Sequence, residues 1–136
     1  MTPDTTIDQL VLADAHECYA IRSTSPTVYY LDARGTHPLV LRATIEGSIT
    51  GPYDKVWTRL ITLTSAEDTG IITVGRRHRW DLDPEPERPD GVVIWWISRA
   101  VTTITPVDPG DLPAGRRPRP DEASRSFTHP ELDSQK

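Results

Sequence analysis

Residues 75–98 read GRRHRWDLDPEPERPDGVVIWWIS, and the two runs at either end of this stretch decide the fold. In HRWDLD, Trp80 and Leu82 fall two apart, with Arg79, Asp81 and Asp83 on the alternate positions. Side chains of a strand point to opposite faces in turn, so this spacing predicts a strand with an apolar inner face and a charged outer one. GVVIWWIS is built from β-branched and aromatic residues and is long enough for a strand but far too short to cross a membrane. Between them, Pro84, Pro86 and Pro89 preset φ and remove backbone donors, which makes a stiff, extended connector. Two strands and a polar loop follow.

The same period recurs outward in both directions. In PLVLRATIEG, Leu39, Leu41, Ala43 and Ile45 alternate with Val40, Arg42, Thr44 and Glu46. HECYAIRS places Tyr19 and Ile21 on one face, and TVYYLDARG, KVWTRLITLT, GIITVG and AVTTITPV complete a set of about seven to eight short strands. STSP, ARGTHP, EGSITGPYD, SAEDTG and DPEPERPDG separate them; Gly, Pro, Asp and Ser each favour turns for their own steric or hydrogen-bonding reason. The expected architecture is all-β: a small antiparallel barrel or roll, with an SH3-like barrel or a sandwich as alternatives. One helical segment is expected, IDQLVLAD, capped by Thr5 or Thr6.

GVVIWWIS is apolar on both faces. Val92, Ile94 and Trp96 share one, and Val93, Trp95 and Ile97 the other. Such a strand is either covered twice, here by the N-terminal segment, or offers one face to a partner; cover within the chain is the commoner solution. Trp96 is expected in the core and Trp95 on the accessible side, because the alternate face ends at Arg99.

The chain has 136 residues, enough for one ordinary domain. Apolar residues concentrate before residue 108, so residues 1–107 are expected to form the β domain. Residues 108–136, with prolines at 109, 113, 118, 120 and 130, read as a disordered tail rich in proline and charge. A chain ending at Asp108 should then be as stable as the whole. A single cysteine, Cys18, excludes an internal disulfide and suits a reducing cytoplasm. No leader or membrane-spanning run is recognisable. The net charge of −5 argues against nucleic acid as a bulk-charge partner.

Three places carry residues suited to local chemistry. Arg76, Arg77, His78 and Arg79, with Trp80 as a stacking surface, form the candidate nucleic-acid contact. Three phosphates neutralised would give a log–log salt slope of only about −2.7 on duplex, and Asp81, Asp83, Glu85 and Glu87 follow at once, so nucleic acid is not the expected partner. The same acids fail the helix-loop-helix calcium test, which needs Gly and Glu where Pro86 and Val92 stand. Asp14, His16 and Cys18 could share a strand face, but neighbours two apart on a strand diverge by nearly ~7 Å, beyond hydrogen-bond reach. No metal site, cofactor or catalytic constellation is expected.

HECYAIRSTSPTVYYLDARG and TVGRRHRWDLD…GVVIWWISRAVTTITPV together resemble small β-rich proteins encoded by actinobacteria and their phages. The shared features, over residues 16–107, are an opening hairpin with a Tyr-x-Leu-Asp strand and a closing Thr-Thr-x-x-Thr-Pro-Val segment. The DPEPERP insert and the C-terminal tail depart from that pattern. The resemblance implies a small cytoplasmic β-barrel-like protein of an actinobacterial host or its phage, and it carries no catalytic residues to transfer. The expected function is a non-enzymatic protein-binding module, a phage-encoded accessory protein modulating a host protein. Its contact residues would be Val93, Trp95 and Ile97, with Phe127 in the tail. A virion or assembly component is the first alternative and weak nucleic-acid binding through the Arg76–Arg79 turn the second.

Overall fold

A computed structural model describes residues 7–43, 56–66, 68–84 and 93–118. Strands β1 (Gln9–Val11), β2 (Cys18–Ser23), β3 (Val28–Asp32), β4 (Leu39–Ala43) and β5 (Thr58–Ser65) are followed by β6 (Asp68–Thr69), β7 (Ile71–Thr73), β8 (Arg79–Asp83), β9 (Ile94–Ile97) and β10 (Val101–Pro106). The fold is all-β and antiparallel. Its main sheet runs β10-β2-β3-β4-β5-β8-β9, with β6 paired to the end of β5, and β1 and β7 form a separate ribbon.

β9 and β10 are the two ends of that order, yet only Ser98, Arg99 and Ala100 join them. So short a link forces the sheet to curl until its edges approach. Backbone bonds from the β7–β8 connection hold the junction: Gly75 donates to the Val101 carbonyl at 2.7 Å, Val101 to Arg76 at 3.0 Å, and Ser98 to His78 at 2.9 Å. Gly75 makes that turn at φ 95°, a conformation that suits glycine because it has no Cβ to clash. No ladder joins β9 to β10 among the described residues, so the sheet is a roll and not a closed barrel.

The concave side holds the core. Tyr19, Ile21, Tyr29, Leu31, Val40, Leu63, Trp80, Leu82, Trp96 and Ile104 all pack there. Tyr29 on β3 stacks on Trp80 of β8 at 4.9 Å between ring centroids and 7° between planes, and Trp80 Nε1 donates to Ser98 Oγ at 3.2 Å. Contacts across the roll of this kind depend on its curvature. The β1–β7 ribbon lids the core, with Leu10 opposite Ile72 and both buried.

The N-terminal segment is not a helix. Gln9–Val11 is a strand, followed by a 3-10 turn at Leu12–Asp14. Leu10 and Leu12 lie two apart and both enter the core, and Leu12 N–H bonds to the Gly70 carbonyl at 2.9 Å, so pairing with β7 outweighs local helix preference. The capping residues Thr5 and Thr6 lie outside the described residues.

Two bulges shape the faces. One falls between Leu60 and Thr62 in β5, the other between Val101 and Thr103 in β10. Each lets residues three apart, Leu60 with Leu63 and Val101 with Ile104, point into the core together. In β4 it is Val40 that joins the core. Leu41 on the opposite face is buried as well, along with Cys18, Ala20 and Trp57.

These residues lie on the convex side, where packing continues past the expected boundary at residue 107. Val107 N–H bonds to the Cys18 carbonyl at 2.9 Å, and Trp57 N–H bonds to the Arg116 carbonyl at 2.9 Å. Residues 108–118 therefore travel as a strap from the start of β2, past the end of β3, to the start of β5, and Pro118 ends buried. Asp108 caps the 3-10 turn Pro109–Asp111 by accepting from Gly110 N–H at 3.2 Å. The remainder of the expected tail, including Phe127, lies outside the described residues.

Candidate functional site

Two places in this fold have the composition of a site: the convex face of β9 and a cleft beside the strap. On β9 the alternation is carried through in full. Trp96 faces Trp80 in register and is 8% exposed, whereas Trp95, opposite Asp81, is 55% exposed. Ile97 and Val93 are exposed beside it, at 52% and 45%. The described part of the N-terminal segment, residues 7–14, does not cover this face, because it is engaged with β7 over the core. β9 is also the last strand of the sheet order, pairing with β8 alone among the described residues, so its outer backbone edge has no strand beside it there. Arg79 lies over the Trp95 ring at 4.9 Å and bonds through Nε to Asp81 Oδ1 at 3.0 Å, while Thr62 Oγ1 donates to Asp81 Oδ2 at 3.3 Å. The apolar stripe thus has a polar rim on its inner side.

The nucleic-acid alternative loses most of its parts. Trp80 is wholly buried against Tyr29 and offers no face to a base. Arg76 pairs with Asp68 at 3.3 Å and Arg79 with Asp81, leaving Arg77 without a partner among the described residues. His78 is buried and accepts from Thr73 N–H through Nε2 at 3.1 Å. Burial, with the nearby Arg76 charge adding to it, depresses its pKa to about 4. At neutral pH it is uncharged and adds nothing to a basic patch.

The cleft has a volume of about 410 Å³ and is lined by Asp32, Arg34, Thr36, His37, Arg59 and Arg117, with Leu39 and Pro118 as its apolar walls. Asp32 ends β3 and is buried. Its carboxylate accepts from Arg34 Nε at 2.9 Å, Arg34 Nη2 at 2.8 Å and Arg117 Nη1 at 2.9 Å. The Arg34 bonds, then the one from Arg117, hold its pKa well below the usual carboxylate range against the opposing effect of burial. Arg117 comes from the strap and also lies over the Trp57 ring at 4.4 Å. Arg59, 2% exposed, stands opposite Asp83 in the β5–β8 ladder. His37 has a lowered pKa, chiefly through burial and then through the charge of Arg59.

No family model, curated protein or solved structure matches this chain. Its chemistry is read from its own geometry.

Cys18 borders the same region, its thiol 3.7 Å from Asp32 Oδ1. Burial and then the Asp32 charge push its pKa up, which keeps the sulfur a thiol and a poor nucleophile. It does not share a strand face with Asp14 and His16: Asp14 closes the 3-10 turn, and β2 starts only at Cys18. Of the four spaced acids, Asp81 lies on the convex face with Arg79, and Asp83 is fully buried instead of exposed. Glu85 and Glu87 lie outside the described residues. Among the described residues no group of three or more His, Cys, Asp or Glu side chains could hold a metal, and no helix is long and apolar enough to cross a membrane.

Sequence reasoning placed Trp95, Trp96 and Trp80 on the faces they occupy. It missed the cleft. Its charged residues come from β3, the turn after it, β5 and the strap, and only Asp32 and Arg34 are close in sequence. The one local signal was LDARG, an acid and a base two apart at a strand end.

Proposed function

We propose that this chain is a non-enzymatic protein-binding module. It takes an extended segment of a protein partner along the β9 edge, with Trp95 as the anchoring side chain. The observation that supports this is the pairing of an exposed Val93-Trp95-Ile97 stripe with an unpartnered edge in the described sheet. Soluble domains usually blunt such an edge with charge or proline. Strand addition gains main-chain hydrogen bonds for affinity and side-chain contacts at alternate positions for selectivity. Trp is over-represented among side chains that dominate binding energy. The resemblance to small proteins of actinobacteria and their phages extends the proposal to a host protein in an actinobacterial cell; that extension rests on the resemblance alone.

The test is capture from an actinobacterial lysate by the tagged full chain, with Trp95→Ser and Ile97→Lys in parallel, then reconstitution with the purified partner. Both variants should keep the parent's melting temperature within a few degrees and weaken the reconstituted complex at least tenfold. Equal affinity for parent and variants would sink the proposal. The assembly alternative differs in its partner, a further copy of the same chain, and sedimentation of the parent against Ile97→Lys separates the two.

A further inference from the structure

We infer that the cleft between the β3–β4 turn and the strap is a binding site for a small organic phosphate monoester, with the guanidiniums of Arg34 and Arg117 as its principal donors. The inference does not rest on the β9 surface.

Charge comes first. The guanidiniums of Arg34 and Arg117 line the cleft against the single carboxylate of Asp32, while the third, Arg59, is buried opposite Asp83. His37, its pKa lowered, is neutral there at physiological pH. The lining therefore has an excess of positive charge that suits an anion, and a phosphate monoester carries about −1.5 to −2 at pH 7.

Donor count comes second. Each guanidinium has five N–H groups in a planar fork. Asp32 takes two bonds from the side chain of Arg34 and one from Arg117, and neither arginine has another hydrogen-bond partner among the described residues. Their side chains are 46% and 39% exposed, and both line the cleft. Asp32 also fixes both forks before any ligand arrives, which lowers the entropy lost on binding. Donors that spread from one buried carboxylate on two separate forks match a tetrahedral group with three acceptor oxygens better than a planar carboxylate, which a single fork satisfies. Thr36 adds a hydroxyl to the lining.

Size and walls come third. A volume of about 410 Å³ lies within the range of small-molecule pockets and exceeds what a bare phosphate needs. Leu39 and Pro118 supply apolar surface for the organic part. Because Arg117 and Pro118 belong to the strap, a ligand that bridges Arg34 and Arg117 also fastens the strap to the body.

Titration of the full chain with phenyl phosphate, inorganic phosphate and succinate, in chloride buffer at constant ionic strength and pH 7.5, tests this by calorimetry. Phenyl phosphate should saturate with a sub-millimolar Kd and bind at least tenfold tighter than succinate. Arg34→Gln should weaken it tenfold or more. Arg34→Lys, which keeps the charge but loses the fork, should weaken it about fivefold, and Arg77→Gln, remote from the cleft, should not change it. Tryptic cleavage after Arg116 should slow in saturating phenyl phosphate, which a purely structural role for Arg34 would not produce. Absence of saturation up to ~10 mM, equal binding of succinate, or undiminished binding by both Arg34 variants would overturn the proposal.

Discussion

Trp95 and Trp96 are adjacent in sequence and opposite in fate. Trp96 is tilted against Tyr29 at 5.9 Å between centroids and has Arg42 over its ring at 4.2 Å, inside the roll. Trp96→Ala should cost about 3–5 kcal/mol, the usual penalty for emptying an aromatic core position. Trp95→Ala loses a surface contact with Arg79 and should cost no more than about 1 kcal/mol. Urea melts of the two variants check this; equal and large losses would mean the convex face of β9 is packed. His78 supplies a second prediction at this scale. Its folded pKa, about 4, lies below its unfolded value, so the unfolded chain binds the proton more readily and acid favours unfolding. Its contribution is complete above the unfolded pKa, near ~6.5, and is lost as pH falls toward 4. Stability at pH 4.5 should be about 2 kcal/mol below that at pH 7.5. His78→Gln, a neutral residue that can still accept from Thr73, should remove most of that slope. Asp32, whose pKa is also depressed, adds a further loss only at still lower pH.

Elements were largely legible because the period of two survives in most strands. Trp80 and Leu82 in β8, Tyr19 and Ile21 in β2, and Ile94 and Trp96 in β9 alternate as their sequences imply. The bulges mark where that signal fails, since Leu60 and Leu63 share a face despite odd spacing and no local residue announces the insertion at Ile61. The strap was illegible for another reason. GDLPAGRRP has too few apolar residues to fold by itself, and its order comes from a distant carboxylate and a distant indole. Arg117 reaches Asp32, 85 residues away, and Arg116 accepts from Trp57 N–H. A chain ending at Asp108 therefore exposes Trp57 and removes one of the two arginines from Asp32, contrary to what composition implies. It should lose about 2–4 kcal/mol, lowering Tm by roughly 8–15 °C. A drop under ~3 °C would show that the strap adds nothing to the fold.

At the scale of the whole molecule, the roll is held by pairs far apart in the chain. Ile104 of β10 faces Ile21 of β2, and the short β9–β10 link joins the two ends of the sheet order. Such a topology must close long loops before contacts compensate for them, so refolding should take milliseconds to seconds in stopped-flow fluorescence. Sub-millisecond refolding would be inconsistent with it. By itself the sequence determined most of the strands, the inner faces of β2, β8 and β9, and the exposure of Trp95. Those follow from side-chain alternation within a few residues, a property the chain carries locally. Only the tertiary structure decided that the N-terminal segment pairs with β7, that Asp83 and Arg59 are buried, and that residues 108–118 cross the convex face. It alone brought Asp32, Arg34, Arg59 and Arg117 to one cleft. Burial of a charge and docking of a polar strap depend on partners supplied by curvature and register, and no local pattern encodes them.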